Sequence, residues 1–364
     1  MLGSIRHTFF PEAYPAMKHA SALAAAIVGM ALIPLAKNPR GASGKEEPTA
    51  ASRGFMFGSV THVPALPPGS RRLKIWVPLP YEESFQSITL LRVESPVPYR
   101  IEHEKEYGNR YAYIAVDADD ARGPFNITVT FHALRLEHRV ALTAAAGPET
   151  KPAISPMRFL QPDQLVPING VIAQLSAEQT AGVNEPLAKA RKIYDYVVTT
   201  MHYDHEGTGW GRGDALWACD AKHGNCTDFH SVFIGMARAA GIPARFEIGF
   251  SLPANSHDGT IGGYHCWSQF FIDGIGWIPV DASEASKNKD KQDYFFGATD
   301  QNRIMFSLGR DIHLKPAQKG DALNYFVYPY AELDGKPFTG LKNEYSFKDD
   351  PVPPAPKVKI STAD

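Results

Sequence analysis

The chain reads as an α+β protein in two parts, an antiparallel β-domain followed by a half that mixes helices and strands. Three observations predict this. Apolar residues alternate at period two through residues 55–140, a helical period takes over near Pro186, and three strand patterns follow a long amphipathic helix that begins at Cys226. With 364 residues, 44% hydrophobic and 21% charged, the chain can bury a sizeable core. Its 37 basic and 39 acidic residues leave a formal charge of -2. No basic run carries interleaved aromatics, so nucleic acid is not an expected partner.

Taken in order, the first element is a targeting segment. A cationic stretch, Met17-Lys18-His19, precedes an apolar run over residues 20–35, which gives way to polar residues 37–48 containing Pro and Gly. That run fits a signal-peptide core of about 7–15 residues better than the ~20 of a spanning helix. Residues 1–50 are therefore read as signal and linker, with Met17 as a possible start and cleavage after Ala36 or near residues 42–44. A buried N-terminal helix is the competing reading. An exported chain, periplasmic or secreted, is the expectation, with the membrane met only through this segment.

Residues 51–146 form the β-domain, expected to be sandwich-like. Leu73, Ile75 and Val77 alternate with Lys74 and Trp76, and Phe125, Ile127, Val129 and Phe131 alternate with polar neighbours. Turn clusters at Pro67-Pro68-Gly69 and Ala121-Arg122-Gly123-Pro124 separate the runs. Nothing in this domain looks catalytic, and its expected role is to orient or dock the second. A Pro- and Gly-containing linker covers residues 144–156. The second domain is placed at residues 157–345, with further short strands after Tyr294, and a mobile tail at 346–364.

Within the second domain Pro186 suits a first helical turn, with Leu187, Ala190, Ile193, Tyr194 and Val197 at helical spacing. A Gly-rich loop, residues 207–213, follows and is read either as a cleft edge or as a flexible turn. Phe229, Val232, Phe233, Met236, Ala237 and Ala240 share one face of a helix starting at Cys226, which Gly241 and Pro243 end. Strands are expected near residues 244–250, 264–272 and 277–280.

Cys226 at a helix start sits among unpaired N–H groups and at the positive end of the helix dipole, which favours a thiolate. The same N–H groups can hold an oxyanion. On the strand at 264–272, His265 and Trp267 share a face, while Cys266 points to the other and is a poor nucleophile for that histidine. If the following hairpin loop is residues 273–275, Asp281 pairs with Trp267 and lies diagonally next to His265. A loop of two or four residues puts them on opposite faces. In the first register Cys226, His265 and Asp281 form a nucleophile, base and orienter, with Trp267 shielding the last two from water. As isolated residues, each could equally serve the core, a turn or a cap.

The run Gly224-Asn225-Cys226-Thr227-Asp228-Phe229, continuing through Ala237 to Arg245, resembles the cysteine motif of the transglutaminase-like superfamily. His265-Cys266-Trp267 and Gly276-Trp277-Ile278-Pro279-Val280-Asp281 resemble its histidine and aspartate motifs, in the family's order, over about residues 187–285. The resemblance implies a papain-like core with Cys226 as nucleophile, His265 as base and Asp281 as orienter. It also implies acyl transfer on protein or peptide amide bonds through a thioester, by hydrolysis or by crosslinking to an amine, with no cofactor. Inactive relatives exist, so a peptide-binding module is the alternative outside enzymology. Cys266 departs from the small residue usual at its position, which raises a redox question. No calcium site of the animal transglutaminase kind is evident. The second oxyanion donor is unassigned, with Tyr203, Trp210 and Trp217 as upstream candidates.

Two further readings concern the sulfur and imidazole groups. Cys219, His223, Cys226 and His230 are soft ligands in a short span, but their spacing matches no common zinc module. The cysteines number three, too few for a disulfide scaffold. Cys219 and Cys266 could pair in an oxidising compartment and leave Cys226 free.

Overall fold

The structure, a computed structural model, describes residues 50–121, 123–142 and 154–350. The targeting segment up to residue 49, most of the linker and residues 351–364 lie outside the described residues. The described chain opens with β1 Ser52–Val63, β2 Arg72–Pro78, β3 Gln86–Glu94, β4 Tyr99–His103, β5 Arg110–Asp117, β6 Phe125–Leu136 and the short β7 His138–Arg139. Period-two burial drives them together. Phe57 pairs with Phe131 across β1 and β6, their rings stacked with centroids 5.1 Å apart, and Leu73, Ile75 and Val77 enter the same core. Trp76, on the other face of β2, is buried too, against Tyr113 and Tyr330. This sheet is therefore covered on both faces, where alternation alone predicts one.

The second half runs α1 Gly170–Gln179, α2 Pro186–Thr200, β8 His202–Tyr203, α3 Ala215–Ala221, β9 His223–Gly224, α4 Cys226–Ala239, β10 Ala244–Ser251, β11 Asp258–Thr260, β12 Tyr264–Ile272, β13 Gly276–Val280 and α5 Ala282–Lys287. It closes with β14 Ala298–Thr299, β15 Arg303–Leu308, β16 Tyr330–Leu333, β17 Lys336–Pro337 and β18 Lys342–Asp349. α4 is the hub. It packs against β10 and β12 on one side and against α1, α2, α3 and α5 on the others. Every residue from Cys226 to Arg238 is buried, so the single apolar face expected from periodicity is only part of the contact. Phe229, Val232, Phe233 and Met236 each stabilise the fold by about 1.5–3 kcal/mol through burial. The polar residues among them are satisfied locally, as where Ser231 Oγ donates to Thr227 O at 2.7 Å.

An antiparallel sheet in the order β13-β12-β10-β15 lies over α4. Gly249 of β10 sits at a register shift against β15, and a Cβ there would stand 1.8 Å from Ile304 O. Only glycine admits this close approach of two backbones. Two five-stranded sheets, β11-β18-β1-β6-β3 and β17-β16-β2-β5-β4, and two short pairs, β14-β7 and β8-β9, make up the rest. β18 pairs with β1, Phe347 opposite Phe57, and β16 pairs with β2, Ala331 opposite Ile75. The last strands thus complete the first sheets, and the described residues from 50 onward make one compact unit. Residues 346–349, expected in a tail, are instead the end of β18. The outer face of β12 is sealed by a second core in which Trp267 and Met305 join Trp76, Tyr107 and Tyr111. Among the described residues no helix is long and apolar enough to cross a membrane.

Candidate active site

Cys226 is the first residue of α4 and is only 2% exposed. The helix starts there because Asn225 caps it. Asn225 Oδ1 accepts from Thr227 N at 2.9 Å, and Asp228 Oδ2 accepts from Asn225 N at 2.9 Å. Asp228 reaches further. Its carboxylate also accepts from Gly211 N at 2.7 Å and Gly213 N at 3.0 Å, so it clamps the Gly-rich loop to the start of α4. Gly211 and Gly213 both have positive φ, +80° and +61°, which glycine adopts without strain.

His265 stands near the start of β12, 6% exposed. The β12–β13 hairpin pairs Ile272 with Gly276 and Ser268 with Val280. Its loop is therefore residues 273–275, the odd register that brings Asp281 to the face of His265. His265 Nε2 donates to Asp281 Oδ2 at 2.8 Å. Asp281 also caps α5, its Oδ1 accepting from Ser283 Oγ at 2.9 Å and Glu284 N at 3.0 Å. Arg303 Nη1 donates to Oδ2 at 3.0 Å. Trp267 is fully buried beside the pair, its ring 6.1 Å from that of His265.

The electrostatics follow from these contacts. Burial opposes ionisation of Cys226, yet hydrogen bonding from Cys266 and from His265 brings its thiol down to about 5. For His265, burial favours the neutral ring, but the Asp281 carboxylate and then Cys226 raise it to about 10. Asp281 is fully buried, yet His265 and Arg303 hold its carboxyl well below the usual range. The thiol is thus deprotonated above about 5 and the imidazole stays protonated to about 10. Between those limits the ground state is a thiolate–imidazolium pair.

Residues 173–282 match a family model described as the transglutaminase-like superfamily core. Across a longer stretch the chain is 28% identical, over 314 residues, to an uncharacterised protein of Haemophilus influenzae, covering 76% of this chain and 85% of that one. In fold it is similar to a candidate cysteine protease from Cytophaga hutchinsonii, with a TM-score of 0.57 and 18% identity over 85% of this chain and 94% of that one.

Other residues singled out from the sequence fall around this site. Cys266 lies on the α4 side of β12, its Sγ 3.5 Å from His230 Nδ1, and burial pushes its thiol pKa up. It faces away from His265 as alternation requires, yet it still reaches Cys226, which strand alternation alone did not foresee. Cys219 is on α3, and all three cysteines are free. His223 bonds Asp204 at 2.7 Å. His230 Nδ1 lies 2.7 Å from Cys226 O and its Nε2 3.2 Å from Ala282 N. It therefore ties α4 to the start of α5, and burial pushes its pKa down to about 4. Of the upstream aromatics, Tyr203 lies near Cys226, which together with burial raises its hydroxyl pKa. Trp210 lies tilted against His205, ring centroids 4.5 Å apart, and Trp217 meets His223 edge-on. A cavity of about 660 Å³ lined by His202, Asp204, Glu206, Gly207, Lys222 and His223 runs along β8 and β9. Sequence reasoning missed the clamp role of Asp228, the link through His230 and the contact from Arg303. Only Asp228 had a local signal, its place three residues after the cap.

Proposed function

We propose that this chain is a cysteine-dependent acyl-transfer enzyme that hydrolyses protein or peptide amide bonds through Cys226, His265 and Asp281. The observation that carries the reading is the buried His265–Asp281 bond set against a cysteine at a helix N-terminus. The thiolate attacks the carbonyl carbon, forming a C–S bond and an oxyanion. Asn225 takes up the Thr227 and Asp228 amides, which leaves the Cys226 N–H to face that oxyanion. Collapse breaks the C–N bond, and the imidazolium of His265 protonates the departing nitrogen. Water then attacks the thioester, gives a proton to His265 and expels the thiolate, restoring the pair.

Fluorogenic peptide amides test this, with and without an added primary amine. The expected result is release of the chromophore with a free carboxylate on the peptide, at pH values between the two limits above. An amine adduct in place of the acid assigns transamidation, and peptide binding without turnover assigns a binding module. The targeting segment supports action outside the cytoplasm. Cell fractionation is expected to recover a shortened chain lacking residues 1–36 or slightly more, and a full-length cytoplasmic chain would overturn that placement.

A further inference from the structure

Asp281 receives more charge than an orienting carboxylate needs. Its Oδ1 is filled by Ser283 and Glu284, and its Oδ2 by both His265 Nε2 and Arg303 Nη1. Four donors fill the acceptor positions of a carboxylate. Arg303 is 1% exposed, its Nη2 donates to Asp300 Oδ2 at 3.0 Å, and its guanidinium lies 5.0 Å over the Trp267 ring. The planar fork therefore spans two acids, one of which orients the base. A cation buried here is expensive unless it is paired, and the charge it brings stands on the oxygen that holds the imidazole.

We propose that Arg303 is a positioning residue for the reaction, fixing the Asp281 carboxylate and sharing the oxygen that binds His265 so that the imidazolium releases its proton to the departing nitrogen. This rests on the triad reading above. An undivided carboxylate would hold the imidazolium proton more tightly and make it a weaker acid. Other charged or titratable groups facing His265 and Asp281 are Cys226 and His230 of α4, Cys266 of β12, Tyr194 of α2, Tyr203 of β8, and Asp300 beyond Arg303. Arg303 is the group among them that brings a fixed positive charge.

Proton NMR of the His265 ring, assigned by its loss in His265→Asn and followed against pH, reads the imidazolium without any substrate. Wild type is expected to lose that proton near 10. In Arg303→Met the midpoint moves up by about one pH unit. Arg303→Lys keeps the charge and stays near wild type. If Arg303→Met does not fold, Arg303→Met with Asp300→Asn removes both partners of that ion pair and is still expected to shift upward. A midpoint at the wild-type value in the folded methionine or double variant overturns the proposal, as does a lysine variant shifted as far as the methionine one. A wild-type midpoint in the ordinary imidazole range of about 6.5 instead sinks the triad reading itself.

Discussion

Cys226→Ala is expected to lower kcat/KM on a peptide amide by about 10⁴-fold or more, with the fold retained. The size of the effect follows from the loss of covalent catalysis altogether, since no second sulfur can take over. Cys266 is buried, its thiol is driven toward the protonated form, and it lies beside His230, on the face of β12 away from the His265–Asp281 pair. The structural cost is small by comparison. Cys226 is a small buried side chain, and trimming it to alanine should cost about 1 kcal/mol. Steady-state assays on folded protein, with stability checked by thermal unfolding, decide the matter. Residual turnover above about 1% of wild type would mean that another group does the chemistry.

A large loss of stability is expected for Asp228→Ala. Its carboxylate is fully buried and accepts three backbone N–H groups, from Gly211, Gly213 and Asn225. Deletion strands three donors away from water and also releases the capping bond that starts α4. At about 1–3 kcal/mol for each unsatisfied group, partly relieved by relaxation and water entry, the cost is about 3–5 kcal/mol. That is a large share of the roughly 5–15 kcal/mol that holds a domain folded. Because the same carboxylate holds the loop beside Cys226, activity should fall along with stability. Urea unfolding at neutral pH measures the effect, and a loss below about 1 kcal/mol would show that the clamp is dispensable.

The parts of the site that were legible in the sequence are those set by local rules. The i, i+3, i+4 spacing after Cys226, the Gly241-Pro243 stop and the three-residue hairpin loop each act over a few residues. Together they put Cys226 at a helix start and Asp281 on the face of His265. What stayed hidden depends on distant pairing. β18 lies against β1 across nearly the whole chain, and nothing in Lys342–Asp349 names Phe57 as the neighbour of Phe347. Arg303 opens a strand, Arg303–Leu308, that is otherwise apolar apart from Ser307 and is buried throughout. A basic residue at such a boundary reads as a strand flank, and only the packing of β15 beside β10 reveals its partner Asp281. The complete burial of α4 was invisible for the same reason. Thr227, Asp228, His230 and Ser231 look like a solvent face until their hydrogen-bond partners are known.

The most direct measurement is a titration of thiolate absorbance in the ultraviolet, taken as the difference between wild type and Cys226→Ala, in protein with and without His265→Asn. The account predicts a wild-type midpoint near 5 that rises by several units once the imidazole is gone. A wild-type midpoint near the usual thiol value of about 8.5, or one that ignores the loss of His265, would contradict it.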